Sequence, residues 1–240
     1  MKKQGLEILI YNKIIGGITM KKIISLVFCL ILGSFILTGC ANSDEPFEKK
    51  SYTADTQINE INLDVRDREI EVSLSEDEQV HIQFSENSKE YYDISVSDEN
   101  VLTMTSASNK EWTDYIGVKP SAEDRKISLQ IPDAFLDALT LSTTNEDITL
   151  SALSVNKSIS ISSNGGNITF ENLDVGNALT LSAKNGDISG AVVGGYDDFA
   201  IQSEIKKGES NLPDQKDGGE KTLNVSCNNG DVNIELVSES

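Results

Sequence analysis

With three cysteines, one histidine and one tryptophan among 240 residues, the chain is poor in the side chains that carry most metal and nucleophilic chemistry. Cys29 lies inside an apolar run, Cys40 ends that run, and Cys227 stands alone beyond it, so the part after Cys40 has one thiol and no partner for an internal disulfide. One His and one Cys there fall short of the ligand set of a zinc site, and no metal is expected. A Ser-His-Asp hydrolase would have to use His81, which alternates with Val80 and Ile82 and points away from them toward the surface. The Gly-x-Ser-x-Gly elbow is also missing. EF-hand loops, nine-residue calcium repeats, phosphate-binding glycine loops and dinucleotide fingerprints are absent, so no cofactor is expected. No helical stripe runs along the chain; the best helix candidate, Asp133 to Leu139, serves equally as a turn.

Positive charge is the other shortage. The chain has 20 Lys and Arg against 39 Asp and Glu, a net charge of −19. Lys2, Lys3, Lys13, Lys21 and Lys22 all precede Cys40 with only Glu7 to oppose them, which leaves 15 bases against 38 acids afterwards, a net −23. Such a body is repelled by nucleic acid and by anionic lipid head groups, so no nucleic acid is expected as a partner.

The single long apolar stretch gives an address. Met20, Lys21 and Lys22 form a positive start, and Ile23 to Ile36 has the length of a signal-peptide core. Leu37-Thr38-Gly39-Cys40 follows and resembles the lipobox of bacterial lipoproteins. That resemblance implies cleavage after Gly39 and lipid attachment to Cys40, with the body extracytoplasmic and anchored to the cell membrane. An uncleaved spanning helix is the competing reading, since Ile23 to Cys40 approaches the roughly 20 residues such a helix needs. Residues 1 to 19 suit neither a signal start nor a folded domain, and translation is expected to begin at Met20. The division that follows is an export segment over 1–39, a lipidated tether over 40–51, an N-terminal β region or cap over 52–132, and a repeat region over 133–240.

After the polar tether, apolar residues alternate in Ile61-Asn62-Leu63-Asp64-Val65, Ile70-Glu71-Val72-Ser73-Leu74 and Val80-His81-Ile82-Gln83-Phe84, the period of a strand. The second half repeats itself. Leu139-Thr140-Leu141-Ser142-Thr143, Ile159-Ser160-Ile161-Ser162-Ser163 and Leu179-Thr180-Leu181-Ser182-Ala183 are twenty residues apart, and Leu223-Asn224-Val225-Ser226-Cys227 is a fourth copy after an interruption. Each runs into a corner and a β-branched residue: Asn145-Glu146-Asp147-Ile148, Gly165-Gly166-Asn167-Ile168, Asn185-Gly186-Asp187-Ile188 and Asn229-Gly230-Asp231-Val232.

Asn and Gly tolerate the backbone of a tight corner, and Ile or Val restarts the strand. A constant twenty-residue period fits one coil of a β-solenoid, all-β throughout, with coils about 4.8 Å apart. Ile148, Ile168 and Ile188 should then lie on neighbouring strands, and Thr143, Ser163, Ala183 and Cys227 should form one inward column of small side chains. An antiparallel sandwich of hairpins turning at each Asn-Gly is the alternative. The stretch from Gly194 to Leu223 reads as an irregular coil with an exposed loop. Ile61, Leu63 and Val65, followed by Asp67-Arg68-Glu69-Ile70, echo the repeat, so the first half is either an irregular start of the stack or a cap on its open end.

The repeated Gly-Asp-Ile corners, the Ile131-Pro132 strand end and the late Lys207-Gly208 loop resemble the DUF4097-type adhesin-like family of bacterial envelope proteins. The resemblance spans about Ile58 to Leu236 and implies a right-handed β-helix-like fold at the envelope. It carries over no catalytic residue. Glu146 and Asn167 depart from the Gly and Asp of the other corners.

Asp147, Asp187 and Asp231 recur at one position of the repeat and form the candidate ligand face. Stacked carboxylates hold Ca²⁺ or flank a glycosidic bond in other proteins, whereas Asp after Gly also caps its own turn through backbone N–H groups. Tyr91, Tyr92, Trp112 and Tyr115 cluster in the first half, suited either to stacking on sugars or to plugging the end of the stack. The function expected is therefore a non-enzymatic, lipid-anchored envelope module, adhesin-like or associated with envelope stress, whose partner is an unidentified envelope protein or polysaccharide. The alternative is a carbohydrate-active enzyme using the acidic corners.

Overall fold

The computed structural model describes residues 45–110, 119–133 and 136–238; Cys40, Trp112 and Tyr115 lie outside them. The described strands are β1 (Glu48–Thr53), β2 (Glu60–Asp64), β3 (Glu69–Leu74), β4 (His81–Glu86), β5 (Glu90–Val96), β6 (Val101–Ser108), β7 (Lys126–Ile131), β8 (Ala138–Thr143), β9 (Ile148–Leu150), β10 (Leu153–Val155), β11 (Ser158–Ser163), β12 (Ile168–Val175), β13 (Ala178–Asn185), β14 (Ile188–Val193), β15 (Phe199–Ile205), β16 (Gln215–Lys216), β17 (Lys221–Asn229) and β18 (Val232–Val237). Helix among the described residues is limited to two short 3₁₀ turns, Glu123–Arg125 and Tyr196–Asp198.

The strands form two open sheets. The first runs β1-β4-β7-β3-β9-β12-β14-β18 with β10 beside β12, and the second runs β16-β15-β17-β13-β11-β8-β2-β6-β5. Each coil contributes one strand to the second sheet, turns a corner and contributes the next to the first. The protein is thus an all-β, solenoid-like stack.

Alternation along each strand sends every second side chain between the sheets. Ile127, Ile70, Ile148, Ile168, Ile188 and Val232 sit over one another through the parallel registers of the first sheet, and all are buried. Leu102, Ile61, Leu139, Ile159, Leu179, Leu223 and Ile201 do the same in the second. The copies twenty residues apart pair in parallel, Ile159 with Leu139 and Leu179, which a hairpin array cannot do. The small inward column also forms: Thr143 pairs with Ser163, Ser163 with Ala183, and Ala183 with Cys227, all buried.

The corners bring backbones very close. A Cβ on Gly186 would lie 2.3 Å from the Gly166 carbonyl oxygen, and one on Gly166 would lie 2.1 Å from that of Glu146. Glu146 ends this column of near contacts and turns its side chain to Arg125 in an ion pair.

Both ends of the stack depart from chain order. The coil β6–β7 follows β2–β3 in sequence but lies outside it, because β2 pairs with both β6 and β8 and β3 with both β7 and β9. At the far end β17 sits between β13 and β15, so the last coil of the chain is inserted inside the one before it. The stretch after Gly194 is therefore the terminal rung and not a break within the stack. It consists of β15, the Lys206-Lys207-Gly208 corner and a bridge from Ser210 to Val232. Antiparallel strands close the ends: β1 and β4 beyond β7, β5 beyond β6, and β16 beyond β15. The first half is thus both start and cap. Glu48–Ser51, expected in the tether, already belongs to β1.

A buried Arg locks the cap. Arg68, 3% exposed, donates to the Tyr92 hydroxyl at 2.6 Å, to Glu90 Oε2 at 2.9 Å and to the carbonyls of Arg66 and Asp67. Its guanidinium lies 5.9 Å from the ring centroids of both Phe47 and Tyr92. Burial pushes the Glu90 carboxyl up, but Lys110 and Arg68 outweigh it and hold it below the usual range.

Gly186→Ala should lower stability by about 1–3 kcal/mol in urea unfolding, because the stack must open to admit a methyl group. Glu90→Gln strands the Arg68 charge and should remove about 3 kcal/mol at neutral pH. A carboxyl lower in the folded than in the unfolded chain stabilises fully above the ordinary carboxylate range, and that contribution is lost as pH falls through the lowered value. Unfolding measured against pH should accordingly weaken on acidification, with a shallower decline in Glu90→Gln.

Candidate binding surfaces

The three corner aspartates lie along one edge of the stack, with Asn167 between Asp147 and Asp187. Asp147 Oδ1 accepts the Asn167 backbone N–H at 2.7 Å, Asn167 Oδ1 that of Asp187 at 2.9 Å, Asp187 Oδ1 that of Asp231 at 2.8 Å, and Asp231 Oδ1 that of Glu209 at 2.8 Å. Each side chain caps the corner of the next coil, and Asn serves as well as Asp because only an acceptor oxygen is used. The exposed carboxylates thus form a ladder along one edge with one oxygen of each committed to backbone. Among the described residues no group of three or more His, Cys, Asp or Glu is arranged to hold a metal ion.

Cys227 is fully buried, and its thiol faces the carbonyls of Gly186 and Gly230, both at 3.4 Å. Burial pushes its pKa up, away from a reactive thiolate. His81 is half-buried and holds Thr53 Oγ1 on Nδ1 and Asp77 Oδ1 on Nε2, each at 2.9 Å. The backbone N–H of Gln79, and after it His81, hold the Asp77 carboxyl below its usual range. This trio fastens the edge strand β1 to the β3–β4 turn. Tyr92 packs edge-on against Phe84, 5.2 Å between centroids, and plugs the end of the core, while Tyr91 lines a cleft beside the tether.

The described surface offers little apolar area. Leu74 and Tyr196, 39% and 52% exposed, are its exposed large hydrophobic side chains. Two depressions stand out. One, of about 400 Å³, lies between Glu45, Pro46 and the start of β1 on one side and Glu86–Ser88 of the cap on the other. The other, of about 320 Å³, is a notch in the first sheet where pairing lapses. There β3 pairs with β9 only as far as Val72, the chain swings out at Ser151 and Ala152, and β12 carries a bulge between Phe170 and Asn172. The sequence carries a signal for this irregularity: apolar residues run 148, 150, 153, 155 and again 168, 170, 173, 175, with one extra residue breaking the alternation. None of the described helices is long and apolar enough to cross a membrane.

For the corner ladder the expected outcome separates charge from acceptor. Asp187→Asn should leave stability within about 0.5 kcal/mol, whereas Asp187→Ala should lose about 1 kcal/mol in the same unfolding measurement.

No curated protein matches the chain. Among solved structures, a candidate cell adhesion protein from Clostridium sporogenes shares the fold at a TM-score of 0.56 and 12% identity, over 80% of this chain and 100% of that one. A candidate adhesin from Bacteroides fragilis (TM-score 0.29, 14% identity, 78% and 97% covered) and a candidate lipid binding protein from Parabacteroides distasonis (0.27, 12%, 79% and 96%) superpose too loosely to add to this. The family model Toastrack DUF4097 matches residues 58–237, which takes in every described strand but β1 and every corner of the ladder, and the chain belongs to that family.

Proposed function

We propose that the protein is a lipoprotein, cleaved before Cys40 and acylated there, whose stack works outside the cell membrane as a non-enzymatic, adhesin-like or envelope-stress-associated binding module. Its partner on this reading is an envelope protein or polysaccharide. The lipobox-like sequence supports the anchor, and two or more acyl chains hold a protein stably where one does not. Four residues lie between Cys40 and Glu45, a span of at most roughly 18 Å. The β1 end would then face the membrane, with β15 and β16 outermost, about 40 Å away along nine strands spaced about 4.8 Å apart.

The observation that carries the binding reading is the use of the corner carboxylates. An acid pair that cleaves a glycosidic bond must converge on substrate with its oxygens free to exchange a proton. Asp147, Asp187 and Asp231 instead each hold a backbone N–H of the next coil. With little exposed apolar surface and a strongly acidic body, contacts to a partner are polar and disfavour anionic surfaces.

Cys40→Ser should move the protein from the membrane fraction to the soluble fraction and abolish labelling by a radioactive fatty acid; retention at the membrane would refute the anchor. Crosslinking in intact cells should capture the same envelope component with Asp187→Asn and Asp231→Asn as with the natural chain. Loss of a polysaccharide-cleaving activity on those substitutions would favour the enzyme instead.

A further inference from the structure

We propose that Asn164 is a site of spontaneous deamidation to isoaspartate and aspartate, singled out by the stack from two other Asn-Gly pairs. This inference is independent of the binding-module reading. Asn precedes Gly at Asn164-Gly165, Asn185-Gly186 and Asn229-Gly230. In such a pair the glycine nitrogen, with no side chain on its own residue, is open to attack the asparagine amide. The reaction needs a glycine N–H free to lose its proton and an asparagine side chain free to swing over the backbone.

The two later pairs are locked. The Gly186 N–H donates to the Asn229 carbonyl and the Gly230 N–H to that of Lys207, each at 3.0 Å. The Asn185 side-chain amide donates to the Asn164 carbonyl at 3.0 Å, and that of Asn229 to Asn185 Oδ1 at 2.7 Å. Asn164-Gly165 sits one residue earlier in the repeat, because Gly165 takes the place that Asn185 and Asn229 hold in the later coils.

That shift leaves the earlier pair open. Asn164 and Gly165 are both exposed, and among the described residues neither the Gly165 N–H nor the Asn164 side chain has a hydrogen-bond partner. The Asn164 carbonyl meanwhile accepts the Asn185 backbone N–H at 3.1 Å as well as its side-chain amide. Donors on a peptide oxygen draw electron density from the attached nitrogen, so they make the Gly165 N–H more acidic.

The Gly165 nitrogen gives its proton to hydroxide or water and forms a bond to Asn164 Cγ. The Cγ–Nδ2 bond breaks, and Nδ2 takes up a proton and leaves as ammonia. Water then opens the resulting cyclic imide. Opening at Cγ leaves an ordinary aspartate; opening at the α-carbonyl carbon leaves isoaspartate, with the main chain routed through the side chain. Either product adds a negative charge beside the corner ladder.

The test is peptide mapping by mass spectrometry of the detergent-solubilised full chain after timed incubation in warm, mildly alkaline buffer made with heavy-oxygen water. Cleavage after Lys157, Lys184 and Lys221 puts the three Asn-Gly pairs on separate peptides. Asn164 should gain the deamidation mass together with a heavy oxygen, as two isomeric peptides. Its rate should exceed those of Asn185 and Asn229 by at least about tenfold, since two hydrogen bonds must break before either of them reacts. In urea, where those bonds are gone, the three should convert within about threefold of one another. Equal rates in the folded chain, faster conversion at Asn185 or Asn229, or the folded-state ratios persisting in urea overturns the proposal.

Discussion

The structure depends on one constraint: equivalent residues of successive coils must lie directly over one another at strand spacing. The aliphatic columns beginning at Ile127 and Leu102 satisfy it from inside, each buried side chain contributing about 1.5–3 kcal/mol. The corners satisfy it from outside, where glycine admits the carbonyl of the coil below and Asx side chains cap the coil beyond. A slip by one residue would turn the buried Ile and Leu to solvent and the Ser and Thr that alternate with them inward.

That constraint also explains how the molecule ends. A parallel stack exposes a row of unpaired backbone groups at each extremity, which invites edge-to-edge pairing. The chain answers by reversing strand direction there and by covering the first end with a satisfied polar network around Arg68, Glu90 and Tyr92. Inserting β17 between β13 and β15 gives that strand of the last coil two full neighbours, while β18 ends the first sheet beside β14 and is bridged by Ser210 at Val232.

The same packing logic separates structural acids from available ones. Along the corner edge, regular repetition places a carboxylate beside the next backbone N–H every time, and the side chains are spent on the stack. Where repetition fails, at the Glu171 bulge, the carboxylate turns instead to the Ala152 backbone N–H of the neighbouring coil.

Much of the architecture was legible in the residues themselves. Leu139, Ile159 and Leu179 at constant spacing, each followed by an Asn or Gly corner, favour parallel coils over a hairpin sandwich, and the parallel registers decide it. The column ending at Cys227 follows from the same arithmetic. What only the tertiary structure decided is the order of coils at the two ends, the entry of Glu48–Ser51 into a strand, and the pairing of Arg68 with Glu90 and Tyr92. Those rest on contacts between segments far apart in the chain, where local period carries no information about which neighbour a strand will choose.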